Sequence, residues 1–163
     1  KKRVKMALEI ERKYLIDLGK IGTLENGIRI KQGYLSTDKN AVVRVRVKND
    51  KAYLTIKGAN NGISRLEFEY EIPFDEANEM LDNLCKKPVI DKTRYIIKHD
   101  IHIWEIDVFY GDNEGLVVAE VELKDENEKI NLPSWIKEEV TSDNRYFNSN
   151  LMKHPYKDWV EFQ

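Results

Sequence analysis

Arg65-Leu66-Glu67-Phe68-Glu69-Tyr70-Glu71-Ile72 alternates strictly between ionised and apolar residues. Successive side chains of a β-strand point to opposite faces, so one face of this segment carries Arg65, Glu67, Glu69 and Glu71. The other carries Leu66, Phe68 and Tyr70. The same two-faced pattern recurs around Glu9, Glu11 and Lys13, around Arg44 and Arg46, around Glu105 and Asp107, and around Glu120, Glu122 and Lys124. One such strand is an ordinary half-exposed strand. Five of them, with both charge signs interleaved, predict a sheet curled around a charged interior, a surrounding suited to a polyanion together with a divalent metal.

The bulk composition hides this clustering. Among 163 residues, 41% are hydrophobic and 34% charged, and 27 Lys and Arg against 29 Asp and Glu leave a formal net charge of -2. That balance gives no electrostatic basis for binding a nucleic-acid polymer. No apolar run approaches the roughly 18 residues of a membrane span, and no signal-peptide core is evident. The single cysteine, Cys85, has no partner for an internal disulfide, so a reducing cytoplasm is expected. Residues 1–5, Lys-Lys-Arg-Val-Lys, read as a basic N-terminal extension or a leftover of cloning, with 6–163 as a single domain.

Eight strands are expected, near 6–16, 28–35, 41–48, 51–58, 64–72, 93–99, 102–109 and 116–124. Asn49-Asp50, Gly58 to Gly62 and Gly111-Asp112-Asn113 supply turn chemistry, and His99-Asp100 reads as a tight hairpin. Asp75 to Lys86 carries Ala77, Met80, Leu81, Leu84 and Cys85 at helical spacing, with Asp75 as N-cap. Ser134 and Ser142 are expected to cap a short helix over Trp135–Glu138 and a last helix through Leu151. The fold class that follows is α+β: a closed, antiparallel, eight-stranded β-barrel with helices packed outside, closure removing exposed strand edges.

Glu9-Ile10-Glu11-Arg12-Lys13 matches the E-x-E-x-K signature of the CYTH family, the triphosphate tunnel metalloenzymes, which includes bacterial inorganic triphosphatases. The remaining segments resemble the family's in order: Gln32-Gly33-Tyr34, Val43-Arg44-Val45-Arg46, Leu54-Thr55-Ile56-Lys57, Arg65 to Glu69, Lys92-Thr93-Arg94-Tyr95, Glu120-Val121-Glu122 and the tail Val140 to Leu151. E-x-E-x-K alone is a weak signal; the ordered set spans nearly the whole chain.

The resemblance implies a triphosphate tunnel and metal-dependent hydrolysis of a phosphoanhydride bond, with inorganic tripolyphosphate as substrate. Glu9, Glu11, Glu120 and Glu122 are the expected ligands of Mg²⁺ or Mn²⁺, because carboxylate oxygens suit hard cations; Glu69 and Asp107 complete the set or bind through water. Arg44, Arg46, Lys57 and Arg94 are expected to hold phosphate oxygens, with Arg65, Lys92 and Arg145 as weaker members. By the same resemblance Lys13 and Tyr34 orient or deprotonate the attacking water. The family also contains adenylate cyclases of the class IV type, and a non-catalytic polyphosphate- or nucleotide-binding module is the other alternative. The partner is a triphosphate substrate, with no nucleic-acid polymer or membrane, and a homodimer is compatible with the reading. His99, His102 and His154 form no catalytic set, and Cys85 falls on an apolar helix stripe.

Overall fold

The computed structural model describes residues 2–5, 10–59 and 65–159, with backbone alone for 2–5 and 65. The eight expected strands form as β2 (Ile10–Ile16), β3 (Ile28–Ser36), β4 (Ala41–Lys48), β5 (Lys51–Gly58), β6 (Arg65–Ile72), β7 (Ile90–His99), β8 (His102–Phe109) and β9 (Val117–Leu123). Two more, β1 (Lys2–Lys5) and β10 (Ile136–Glu139), precede and follow them. The helices are α1 (Leu18–Ile21), α2 (Phe74–Asn83) and α3 (Asn148–Leu151). The chain divides into two compact units, one comprising Lys1–Leu8 and Arg29–Asp91, the other Glu9–Ile28 and Lys92–Gln163.

In the first unit the strand order is β1-β6-β5-β4-β3, and each pairing is antiparallel. Asn49-Asp50 makes the expected turn between β4 and β5, with Asn49 in the left-handed region at φ 55. The apolar parity of the strands supplies Val45, Val47 and Ala52, and α2 and the turn after it close over them with Ala77, Leu81 and Cys85. Pro73, not Asp75, occupies the N-cap of α2 and makes no side-chain cap bond. Asp75 and Glu76 lie in the first turn, where their charge complements the positive end of the helix dipole.

The second unit runs β7-β8-β9-β2-β10. Its core gathers Tyr14 and Ile16 of β2, Trp104 and Ile106 of β8, and Ala119, Val121 and Leu123 of β9. Trp104 is fully buried and stands between Tyr14 and Trp135, at ring-centroid distances of 5.6 and 5.7 Å. The β7–β8 hairpin turns at Asp100-Ile101, one residue later than expected, with His99 still paired to His102 and Asp100 at φ 56.

The structure overturns the closed eight-stranded barrel. Ten strands form, and among the described residues the hydrogen-bonded order ends at β1 and at β10, each with a single partner. The sheet is therefore open. The basic sequence of β1 is typical of an edge kept from further pairing by charge. Two of the three helices are also short, α1 and α3 having four residues each. Ser134 caps no helix: the residues after it form β10. The strand is favoured by ladder bonds to β2 and a fork of Arg12 on Glu139 at 3.0 and 2.7 Å. The last helix is broken as well. Asp143, rather than Ser142, accepts from the Arg145 amide, and a 3-10 turn at Asn144–Tyr146 precedes the separate α3.

Gly33 of β3 lies against the end of α2. A Cβ there would meet Cys85 Cβ at 2.9 Å and Leu81 Cδ2 at 3.2 Å. Gly33→Val is expected to destabilise the fold by about 2 kcal/mol through overpacking, seen as a lower midpoint in urea unfolding at unchanged m-value.

Candidate active site

In the second unit the ladder places the charged parity of four adjacent strands on one face. Lys13 faces Glu120, and Glu120 in turn faces Glu105 across β8–β9. Glu11 faces Glu122, and Arg94 faces Asp107. Like charges directly opposite each other destabilise a sheet, and two such pairs, Glu11 with Glu122 and Glu105 with Glu120, occur here. The protein's own cations answer part of this charge. Lys13 Nζ lies 3.4 Å from Glu120 Oε1 and 4.0 Å from Glu11 Oε1, with its side chain 7% exposed. Arg94 Nη1 donates to Glu105 Oε2 at 3.2 Å. Glu122 is exposed and makes no ion pair among the described residues.

Asp107 is the anchor of this face. It is 2% exposed, and both of its oxygens are engaged: Arg94 donates from Nε and Nη2 at 2.8 and 2.9 Å, and Lys92 Nζ donates at 2.8 Å. Burial works against its charge, but the Arg94 bonds and the Lys92 ammonium hold its carboxyl below the usual aspartate range. Burial pulls the fully buried Lys92 amine downward, opposed by Asp107. Burial likewise opposes the Arg94 charge, yet its bonds to Asp107 raise its pKa above the ordinary arginine value. Asp107 is thus a carboxylate gripped by the Arg94 fork and the Lys92 amine.

The charged face of the first unit follows from the register in the same way. Tyr34 faces Arg44 and Gln32 faces Arg46 across β3–β4; Arg44 faces Thr55, and Val42 faces Lys57, across β4–β5. Arg46 Nε donates to Gln32 Oε1 at 2.9 Å, Thr55 Oγ1 donates to Glu69 Oε1 at 3.0 Å, and Lys57 pairs with Glu67 at 3.4 Å. Arg44 Nε is buried with no hydrogen-bond partner. A buried, unsatisfied guanidinium N–H is costly, and an anionic oxygen would relieve it.

Of the residues singled out in sequence, Glu9 and the side chain of Arg65 lie outside the described residues. The second unit brings Glu11, Lys13, Lys92, Arg94, Asp107, Glu120 and Glu122 onto one sheet face, and the first does the same for Tyr34, Arg44, Arg46, Lys57 and Glu69. Arg145 is held by Asp143 at 2.7 Å and covers the Trp159 ring at 4.7 Å. Alternation could not reveal Thr141, Phe147 and Asn148, which sit in the irregular tail; Lys13 and Lys92 contact them. No three His, Cys, Asp or Glu side chains among the described residues surround a common metal position. The donors are nonetheless all carboxylate oxygens, left facing one another in pairs. That fits a hard cation such as Mg²⁺, which takes one or two carboxylates and completes its shell with water and phosphate oxygens.

Because the Asp107 pKa is depressed, its ionic anchor contributes stability above the ordinary aspartate pKa and loses it as the pH falls through the lowered folded value. Asp107→Asn is expected to cost about 3 kcal/mol at neutral pH, since it leaves buried cations unpaired. It should also flatten the acid-side fall of Tm, read from thermal melts between pH 7 and 3.

The family described as CYTH domain matches residues 7–156. An inorganic triphosphatase of Acetivibrio thermocellus is 54% identical over 156 residues, covering 96% of this chain and all of that protein. An inorganic triphosphatase of Nitrosomonas europaea is 36% identical over 147 residues, covering 88% and 95%. A crystal structure of an inorganic triphosphatase superposes with a TM-score of 0.73 at 34% identity, over 90% of this chain and 95% of that one. With the ordered motifs carried on two charged sheet faces and a likeness that runs essentially end to end, this chain belongs to the CYTH family.

Proposed function

We propose that this protein is a metal-dependent triphosphatase that hydrolyses the terminal phosphoanhydride bond of inorganic tripolyphosphate, using Mg²⁺ or Mn²⁺. The observation that carries the reading is 54% identity over the complete length of a protein named inorganic triphosphatase. The carboxylate pairs of the second unit and the unpartnered Arg44 Nε of the first support it chemically.

Hydrolysis of tripolyphosphate breaks the bond between the terminal phosphorus and its bridging oxygen, while a water oxygen bonds to that phosphorus. Phosphate and pyrophosphate leave. Such transfers depend on positioning and charge stabilisation more than on covalent help from the protein. A divalent cation, when bound, offsets phosphate charge and helps to activate water. Glu9, Glu11, Glu120 and Glu122 are its proposed ligands, with Glu69 and Asp107 in support. Asp107, with both oxygens engaged, acts through Lys92 and Arg94 by fixing where their charges point. Arg44, Arg46, Lys57 and Arg94 hold phosphate oxygens, with Arg65, Lys92 and Arg145 adding positive charge. Lys13, pinned between Glu11 and Glu120, orients the attacking water together with Tyr34. The water's proton ends on a product phosphate oxygen, since an ammonium has no lone pair to accept it. Among the described residues no helix is long and apolar enough to cross a membrane.

The test is incubation of the purified protein with tripolyphosphate, ATP or thiamine triphosphate, each with Mg²⁺ or Mn²⁺, and resolution of the products. Rapid release of phosphate from tripolyphosphate, abolished by EDTA, is expected. Cyclic AMP from ATP, or silence on every substrate, would overturn the reading. Arg44→Lys keeps the charge but loses the guanidinium fork, so KM for tripolyphosphate should rise about tenfold, the order expected for one charge-assisted hydrogen bond. An unchanged KM in steady-state assays would remove Arg44 from the phosphate site.

A further inference from the structure

We propose that Phe147 is a positioning residue for Lys13, its ring face fixing the ammonium that orients the attacking water. The inference rests on the role given to Lys13 above and adds a residue from the C-terminal tail to that role.

The Lys13 ammonium lies 4.9 Å from the centroid of the Phe147 ring. Its other close neighbours are Glu120 at 3.4 Å and Glu11 at 4.0 Å. An ammonium has three N–H donors and no acceptor. The carboxylates draw donors toward themselves, whereas the ring attracts the whole charge without taking a localised hydrogen bond. A third carboxylate in that position would engage the last donor and add anionic charge beside an anionic substrate. The aromatic face confines the lysine and leaves a donor for water or a phosphate oxygen.

Phe147 is itself held in place. Asn150 and Leu151 amides both donate to its carbonyl at 2.9 Å, which opens α3 directly after it. Farther back along the tail, Val140 N donates to Lys13 O at 2.8 Å and Lys13 N donates to Thr141 Oγ1 at 3.0 Å. The tail thus grips the Lys13 backbone at one end and its side chain at the other. The next residue, Asn148, accepts from Lys92 Nζ at 3.4 Å, so consecutive tail residues meet lysines on two different strands. Phe147 is 37% exposed.

The test is a series at position 147 assayed on tripolyphosphate with Mg²⁺, beside Lys13→Met. Phe147→Leu is expected to lower kcat about tenfold, with KM within about twofold and Tm nearly unchanged, in line with the strength of a desolvated cation–π contact. Phe147→Tyr should restore kcat to within about twofold. Mono-, di- and trifluorophenylalanine, which progressively drain the ring face at nearly constant shape, should lower kcat stepwise. Independently of turnover, the Lys13 ε-methylene protons should show an upfield ring-current shift in the NMR spectrum that Phe147→Leu abolishes. If Lys13→Met is dead while Phe147→Leu turns over normally, the inference fails and the role of Lys13 stands. A loss in Phe147→Leu with a flat fluorinated series would reduce Phe147 to packing and also overturn it. If Lys13→Met is fully active, the role of Lys13 fails and the inference fails with it.

Discussion

Every ion on a buried sheet face needs an opposite charge or a strong donor within reach, because an unpaired charge away from water costs several kcal/mol. Asp107 shows how the second unit meets that demand. Its two oxygens accept from three nitrogens of Lys92 and Arg94. Arg94 extends on to Glu105, and Glu105 stands opposite Glu120, which answers Lys13. The network of charged side chains runs across β7, β8, β9 and β2 and reaches Glu11 and Glu122, which face each other.

The two units divide the charge unequally. The second holds most of the carboxylates singled out for metal, together with an ionic network that fixes Lys92 and Arg94. The first carries Arg44, Arg46 and Lys57; Arg46 donates to the Gln32 amide oxygen, Lys57 pairs with Glu67, and Arg44 Nε is buried without a hydrogen bond.

Much of this was legible in the sequence because strand alternation is a direct consequence of backbone geometry. Lys13, Arg94, Asp107 and Glu120 fall on one face in the structure as their parity requires, and the eight strands lie where two-residue periodicity placed them. What escaped has physical reasons. Ile136-Lys137-Glu138-Glu139 has no clean period, and its strand identity comes from a partner, β2, more than a hundred residues away. Barrel closure could not be read from the strands themselves, since edge status depends on neighbours and not on local pattern. The double engagement of Asp107 was hidden for the same reason: a carboxylate beside cations and one beside a metal have the same sequence signature. Thr141, Phe147 and Asn148 belong to an irregular tail, where no periodicity tells which side chains turn toward the charged face.

One consequence of the register concerns the order in which the chain is made. β2 emerges early, yet its ladder partners are β9 and β10, so the lysine it carries has no neighbouring strand until residues 117–139 exist. The strands of the inserted unit, by contrast, pair largely with their immediate successors along β3, β4, β5 and β6. A nascent chain can therefore complete that sheet while β2 still waits, and non-local pairing of this kind is the slow part of folding. The carboxylates of β9 and the lysine of β2 meet only once residues 117–123 have been made, which spares the ribosome-bound chain a half-built, strongly charged site until then.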